Sequence, residues 1–162
     1  MDIENTKRIN QAIAAANADW QSLATIFGEN SPTHHAISAV IVLIGDAPIE
    51  YASATVKSSF DQSEVGFEVV LFTLKRIVHL VHTPGAARPL VSARGRRGLA
   101  AVRIISAPVV THDAYAFRSD RLAVELDYPD WTVALPLGSS RDYGAAETLD
   151  SFLPQLLGEL DE

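Results

Sequence analysis

The sequence predicts an α+β fold, mainly β, with seven antiparallel strands, one or two helices before them and a helix that closes the chain. Apolar residues recur at helical spacing near both ends, whereas the middle alternates apolar and polar residues or forms short β-branched runs. Short turns rich in Gly, Pro and Asp separate these runs. A length of 162 residues fits one domain. We therefore expect a single domain over 1–162, with a helical extension at 1–46 and the strands and closing helix at 48–160.

The first predicted helix covers residues 6–28, ends at Gly28 and carries one apolar stripe with spacings of three and four residues. The stripe consists of Ile9, Ile13, Ala16, Trp20, Leu23 and Phe27. It fits a helix that packs on its own domain, and it also fits a seam between two copies of the chain.

A second helix is predicted from Ser31-Pro32, an N-cap followed by proline at the first helical position, to a stop at Gly45. The run Ala36–Ile44 is β-branched, so a buried strand is the alternative. The capping signals and the length favour the helix.

The strands are predicted in chain order from alternation and β-branched content. The second and third form a hairpin around Thr73-Leu74-Lys75-Arg76, and the Gly-, Pro- and Arg-rich residues 84–98 are expected to be a long connection. The seven predicted strands are the run after Glu50, Phe67–Phe72, Ile77–Val81, Leu99–Ile105, Val109–Arg118, the run from Leu122 to Asp127, and Trp131–Leu135. The closing helix carries Leu149, Phe152, Leu153, Leu156, Leu157 and Leu160 on one face and contains Pro154.

Charge is unevenly distributed along the chain. The net charge is −7, yet no Asp or Glu lies between Val69 and His112, a window with seven basic residues. The remainder has 6 basic and 20 acidic residues and a charge of −14. There is no cysteine, and the longest apolar run is far shorter than the roughly 20 residues of a spanning helix. These features predict a cytoplasmic protein without a transmembrane segment.

Three segments resemble the bacterial pleckstrin-homology-like (PH-like) families, which are related to GRAM domains. They are the hairpin FEVVLFTLKRIVHLVH, the run VRIISAPVV, and RLAVELDYPDWTVALPL followed by ETLDSFLPQLLGEL. The resemblance covers roughly Pro48 to Leu160. It implies a seven-stranded, partly open antiparallel barrel capped by the C-terminal helix, and binding of peptides, lipids or other subunits more than catalysis. Asp61 and Glu64 occupy the loop in which phosphoinositide-binding members carry basic residues.

Five arginines are candidates for binding an anion or a partner: Arg88, Arg94, Arg96, Arg97 and Arg103. Gly95 and Gly98 flank part of this set and would let guanidinium groups approach an anion closely. A solvated connecting loop is the plainer interpretation. Lys75 and Arg76 are expected at the opposite end of the third strand. A sequence pI near 5.1 disfavours nucleic acid as a partner, while anionic lipid and phosphate stay open.

Residues for catalysis or for a metal site are not recognisable. His34 and His35 are adjacent, His79 and His82 point to opposite faces of a strand, and His112 stands alone, so none has the spacing of a zinc site. Nucleophile and phosphate-loop motifs are absent. We therefore expect no enzyme, no cofactor and no metal.

The sequence is best interpreted as a non-enzymatic binding or assembly module that contacts a protein partner or further copies of itself. The alternative is a small cone-like α+β ligand-binding protein or enzyme with a pocket in a curved sheet, where His79 or His112 would supply the polar group.

Overall fold

A computed structural model describes residues 3–27, 31–58, 65–107, 121–138 and 143–161. These residues form two antiparallel sheets, one of four strands and one of three, with helices before and after them. The chain divides into two compact units, Met1–Arg96 and Arg97–Glu162. The α+β class and the C-terminal helix are confirmed, and the single domain over 1–162 stays a prediction.

The first unit starts with three helices, α1 (Ile3–Ala16), α2 (Asp19–Phe27) and α3 (Pro32–Ile44). The predicted helix over 6–28 is therefore two helices. They separate at Asn17, whose side-chain oxygen accepts from the Asp19 amide at 3.0 Å while its carbonyl accepts from the Trp20 amide at 3.1 Å. A side chain that accepts from a backbone amide two residues later in this way competes with helical hydrogen bonding.

Helix α3 begins and ends where its caps predict. The Ser31 hydroxyl accepts from the Thr33 amide, Pro32 opens the helix, and Gly45 ends it with a φ of 57°. The positive φ favours glycine at this position. The alternative of a buried strand over Ala36–Ile44 is therefore wrong.

Four strands complete the first unit, in the order β1 (Tyr51–Ser58), β2 (Val65–Phe72), β3 (Arg76–His82) and β4 (Leu90–Gly95). The predicted hairpin is β2 and β3. Strand β4 lies inside the stretch that was expected to be a connection, so that expectation is wrong. All six of its residues pair with β3 in unbroken register, from Val81↔Leu90 to Arg76↔Gly95.

The helices cover one face of this sheet, with α1 against β1 and α3 against β3 and β4. The core between them contains the predicted stripe residues Ile9, Ile13, Trp20 and Leu23 together with side chains of β2 and β3. Trp20 contacts Phe67 edge-on, with 5.0 Å between ring centroids. Because these four stripe side chains are buried within their own unit, they do not form a seam between copies.

The second unit contains β5 (Ala101–Ser106), β6 (Ala123–Tyr128), β7 (Trp131–Leu135) and α4 (Tyr143–Leu160). The sheet order is β5-β6-β7. Alternate residues of β6 are buried, as the sequence pattern predicts. Helix α4 is continuous through Pro154 and buries Leu149, Phe152 and Leu156. The predicted strand Val109–Arg118 lies outside the described residues.

The prediction of one seven-stranded barrel is corrected by this division into two sheets. Among the described strands, the ladder of the first sheet ends when Arg96 donates its amide to the Lys75 carbonyl. The next strand begins at Ala101 and pairs with β6 instead of β4. The described strands therefore do not close into a barrel.

Candidate functional site

The turn between β2 and β3 is held by Thr73. Its hydroxyl oxygen accepts from the Arg76 amide at 3.0 Å, and its own amide donates to the Arg76 carbonyl at 2.9 Å. Thr73 is buried, whereas Leu74 at the tip is 71 % exposed and Lys75 is also exposed. The turn therefore presents an apolar and a cationic side chain to solvent on an ordered backbone.

Strand β4 brings two groups of basic residues to the same end of the sheet. Arg76 lies opposite Gly95, and the Arg96 amide donates to the Lys75 carbonyl at 2.9 Å. The expectation that Lys75 and Arg76 lie at the opposite end from Arg94 and Arg96 is wrong, because the chain leaves this end along β3 and returns to it along β4.

Arg96 is buried inside the first unit, with 4 % of its surface exposed. Its guanidinium group donates to the Glu50 carboxylate and, at 2.7 Å, to the Thr73 carbonyl. The same group lies over the Phe72 ring, 5.9 Å from its centroid. Arg96 therefore joins the start of β1 to the turn between β2 and β3, and the interpretation as a solvated loop residue is wrong for it.

Arg76 binds the C-terminal end of α3, and Arg8 binds the residues that follow it. The Arg76 guanidinium donates to the Leu43 carbonyl, and Arg8 donates to the carbonyls of Gly45 at 2.8 Å and Ala47 at 2.6 Å. The last carbonyls of a helix lack intrahelical donors and carry partial negative charge, so the Arg76 guanidinium group stabilises this end. Arg8 holds the chain that leaves the helix.

The remaining predicted arginines have different surroundings. Arg88 and Arg97 are exposed and have no ion-pair partner among the described residues, whereas Arg94 is half-buried on β4. Arg103, in the second unit, bridges Glu125 and Asp127 of β6 at 3.1 Å each. The five predicted binding residues therefore include two, Arg96 and Arg103, that form ion pairs with their own chain.

The described histidines have different surroundings. His79 contacts the Glu68 carboxylate at 2.8 Å, while His34 and His35 are exposed. His82 is buried against the Phe67 ring, and its burial lowers its pKa because the imidazolium form loses hydration. His112 lies outside the described residues. Within the described part of the chain, no three His, Cys, Asp or Glu side chains are grouped so that they could hold a metal ion.

The exposed outer strand β4 was not predicted as a feature of the site. Four of its six residues are exposed, including Leu90 at 76 %. The available signal was the run LVSAR between Pro89 and Gly95, which has the length of a short strand.

None of the helices in the described ranges is both long enough and apolar enough to cross a membrane. Comparisons with protein-family models, with curated proteins and with solved structures find no match to this chain.

Proposed function

We propose that this chain is a non-enzymatic binding module whose partner is a protein that presents acidic residues to the exposed basic residues at the two ends of β4. The observation that carries the proposal is the exposure of Lys75 and Arg88, which have no ion-pair partner among the described residues. Both lie in the window from Val69 to His112, which contains no acidic residue. No carboxylate of this segment would therefore repel an acidic partner.

The way in which the fold uses its other basic residues supports this proposal. Arg96 and Arg103 bind carboxylates of their own chain, and Arg76 binds a helix end. Neither the Lys75 nor the Arg88 side chain makes a comparable contact with the described residues. Exposed charges of this kind contribute mainly to the rate of association and to the choice of partner.

A protein partner is favoured over phosphate, anionic lipid or nucleic acid. Tight anion sites use convergent guanidinium groups, and the buried Arg96 already binds Glu50. The negative net charge and the low pI disfavour a polyanion such as nucleic acid. Exposed Leu74 adds an apolar contact beside Lys75, which suits a protein surface.

The PH-like assignment belongs to the same proposal. Antiparallel sheets of four and three strands followed by a C-terminal helix are the elements that the resemblance implies. We extend the proposal to a cytoplasmic location, which suits a chain without cysteine. A crystal structure whose strand order and closing helix match those of PH-like domains would support the assignment, and a different strand order would contradict it.

The experiment is a binding measurement across a salt series. The full chain is used to isolate a partner from cell extract, and the purified partner is then titrated with wild type and two double variants. Changing Lys75 and Arg88 to Ser should weaken binding about threefold to tenfold at low salt and flatten the salt dependence, because exposed charges contribute about 0–1 kcal/mol each.

The matched control changes Lys7 and Lys57 to Ser, two exposed lysines elsewhere in the first unit, and alters net charge equally. It should give a salt curve close to that of wild type. Equal curves for both double variants, or failure of the full chain to retain any protein, would overturn the proposed function.

A further inference from the structure

Strand β4 is the outer strand of the first sheet. The order β1-β2-β3-β4 leaves one side of β4 without a neighbouring strand among the described residues. Helix α3 contacts β4, and yet Ser92, Ala93 and Gly95 remain exposed. An exposed edge strand offers unpaired backbone donors and acceptors to another chain.

The hydrogen-bond pattern identifies the backbone groups that point outward. The Arg96 amide donates to the Lys75 carbonyl, so these opposed residues form a hydrogen-bonded pair. Such pairs alternate along an antiparallel ladder, so Leu90, Ser92 and Arg94 also bond to β3. The N–H and C=O groups of the intervening residues, Val91, Ala93 and Gly95, therefore point to the open edge.

This edge has few of the features that block edge pairing in other sheets. The β3–β4 register contains no bulge, and no proline lies within Leu90–Gly95. Natural edges are commonly protected by bulges, prolines, covering elements or inward-pointing charges. The open edge of β4 is therefore competent to accept another strand.

Charge determines which strand would fit. Arg88 lies just before β4, and Lys75 lies beside its last residues, so the edge has an exposed basic side chain near each end. A second copy that paired its own β4 antiparallel would bring these basic residues side by side, which is unfavourable. A segment with acidic residues near its ends would meet both with opposite charge.

We infer that the outer edge of β4 binds an extended segment of a partner protein bearing acidic residues, which adds a fifth strand to the first sheet. This inference rests on the proposed protein-binding function and specifies its mode. Backbone hydrogen bonds at Val91, Ala93 and Gly95 supply affinity, and Arg88 and Lys75 select the acidic segment.

The test uses synthetic peptides as probes of the full chain. The main probe is a capped peptide of about eight residues that alternates valine and threonine and has glutamate near each end. Binding is followed by fluorescence anisotropy, and amide hydrogen exchange is measured over residues 90–96. The glutamate peptide should slow exchange of the Val91, Ala93 and Gly95 amides, and a lysine counterpart should bind at least about tenfold more weakly.

Two proline variants separate edge binding from folding. Ala93→Pro removes an outward amide and should abolish peptide binding while it keeps a cooperative thermal transition. Ser92→Pro removes an amide that donates to β3 and should lower the melting temperature. A peptide that is N-methylated at alternate residues tests the same hydrogen bonds on wild-type protein, so the result does not depend on the folding of a variant.

Several outcomes would overturn the inference. They are absence of binding by the glutamate peptide, equal binding of the N-methylated peptide, and equal binding of the lysine peptide. A wild-type dimer that Ala93→Pro converts to a monomer would make a second copy the occupant and also overturn it. A natural partner that binds Ala93→Pro as tightly as wild type would remove β4 as the site and leave the proposed function standing.

Discussion

Arg96→Met should be among the most destabilising single changes in the first unit. Methionine retains much of the apolar stem but removes the guanidinium group that donates to the Glu50 carboxylate and to the Thr73 carbonyl. It also removes the cation above the Phe72 ring. The change therefore removes polar contacts without opening a large cavity.

The magnitude follows from burial. The Arg96 side chain is 5 % exposed and that of Glu50 is 26 % exposed. Removal of one partner from a buried ion pair costs about 3–5 kcal/mol, because the other charge stays poorly solvated. Glu50 retains some access to water, so we expect the lower end, about 3 kcal/mol. Glu50→Gln keeps an acceptor for Arg96 and should cost about 1–2 kcal/mol.

The assay is urea unfolding in a Trp131→Phe background. Trp20 is then the remaining tryptophan, and it is buried against Phe67 in the core of the first unit, so its fluorescence reports on that unit. Urea is preferable to guanidinium chloride because salt screens ion pairs. The control is Arg97→Met, which changes an exposed neighbour and should alter the free energy of unfolding by less than about 0.5 kcal/mol.

The double variant of Arg96→Met with Glu50→Gln tests whether the two side chains act together. Its cost should be smaller than the sum of the two single costs, because either change alone disrupts the same contact. A loss below about 0.5 kcal/mol for Arg96→Met, or an equal loss for Arg97→Met, would refute the reasoning.

Three further predictions concern buried groups of the first unit. Burial raises the pKa of Tyr51 from 10.0 to about 12, so folding favours its neutral phenol. This stabilisation should be lost as pH rises from 10 through 12, and Tyr51→Phe should remove a step near pH 12 from a tyrosinate absorbance titration. Burial lowers the pKa of His82 below 6.5, so the stabilisation from keeping it neutral should be complete above pH 6.5 and decline as pH falls toward the folded-state pKa. The melting temperature of His82→Phe should therefore fall less steeply below pH 6.5 than that of wild type, and an equal fall would contradict this. A Cβ atom on Gly66 would lie 2.9 Å from the His82 carbonyl oxygen, so Gly66→Ala should cost about 1–3 kcal/mol in urea unfolding, whereas Gly158→Ala meets no atom within 4 Å and should be neutral or stabilising.

The sequence predicted those elements whose ends are determined by neighbouring residues, such as helix caps and short turns. Ser31, Pro32 and Gly45 predicted α3 to within a residue, because caps act on adjacent backbone groups. The β2–β3 hairpin was predicted because its turn is short and both strands are β-branched. The break at Asn17 was missed, since the apolar stripe keeps its period across α1 and α2 and only one polar side chain marks the interruption.

Features that depend on distant residues were not predictable in the same way. Strand β4 lies within residues 84–98, whose Gly, Pro and Arg content is typical of a loop, and it is a strand because β3 supplies its hydrogen bonds. The burial of Arg96 depends on Glu50, which lies 46 residues earlier in the chain. The division into two sheets likewise depends on which strands pair, and alternation within one strand does not encode its partner.

The basic residues of the window from Val69 to His112 therefore have two different roles, which variants can separate. Some basic residues between Val69 and His112 bind groups of their own chain, namely Arg76, Arg96 and Arg103. Lys75, Arg88 and Arg97 are exposed and have no ion-pair partner in the described part of the chain. A buried charge pair affects the free energy of unfolding, so neutralising Arg96 should lower stability. Exposed charges affect association more than folding, so neutralising Lys75 and Arg88 should change binding at nearly constant stability. Gly95 and Gly98 thus flank both a structural arginine, Arg96, and an exposed one, Arg97, which composition alone cannot distinguish.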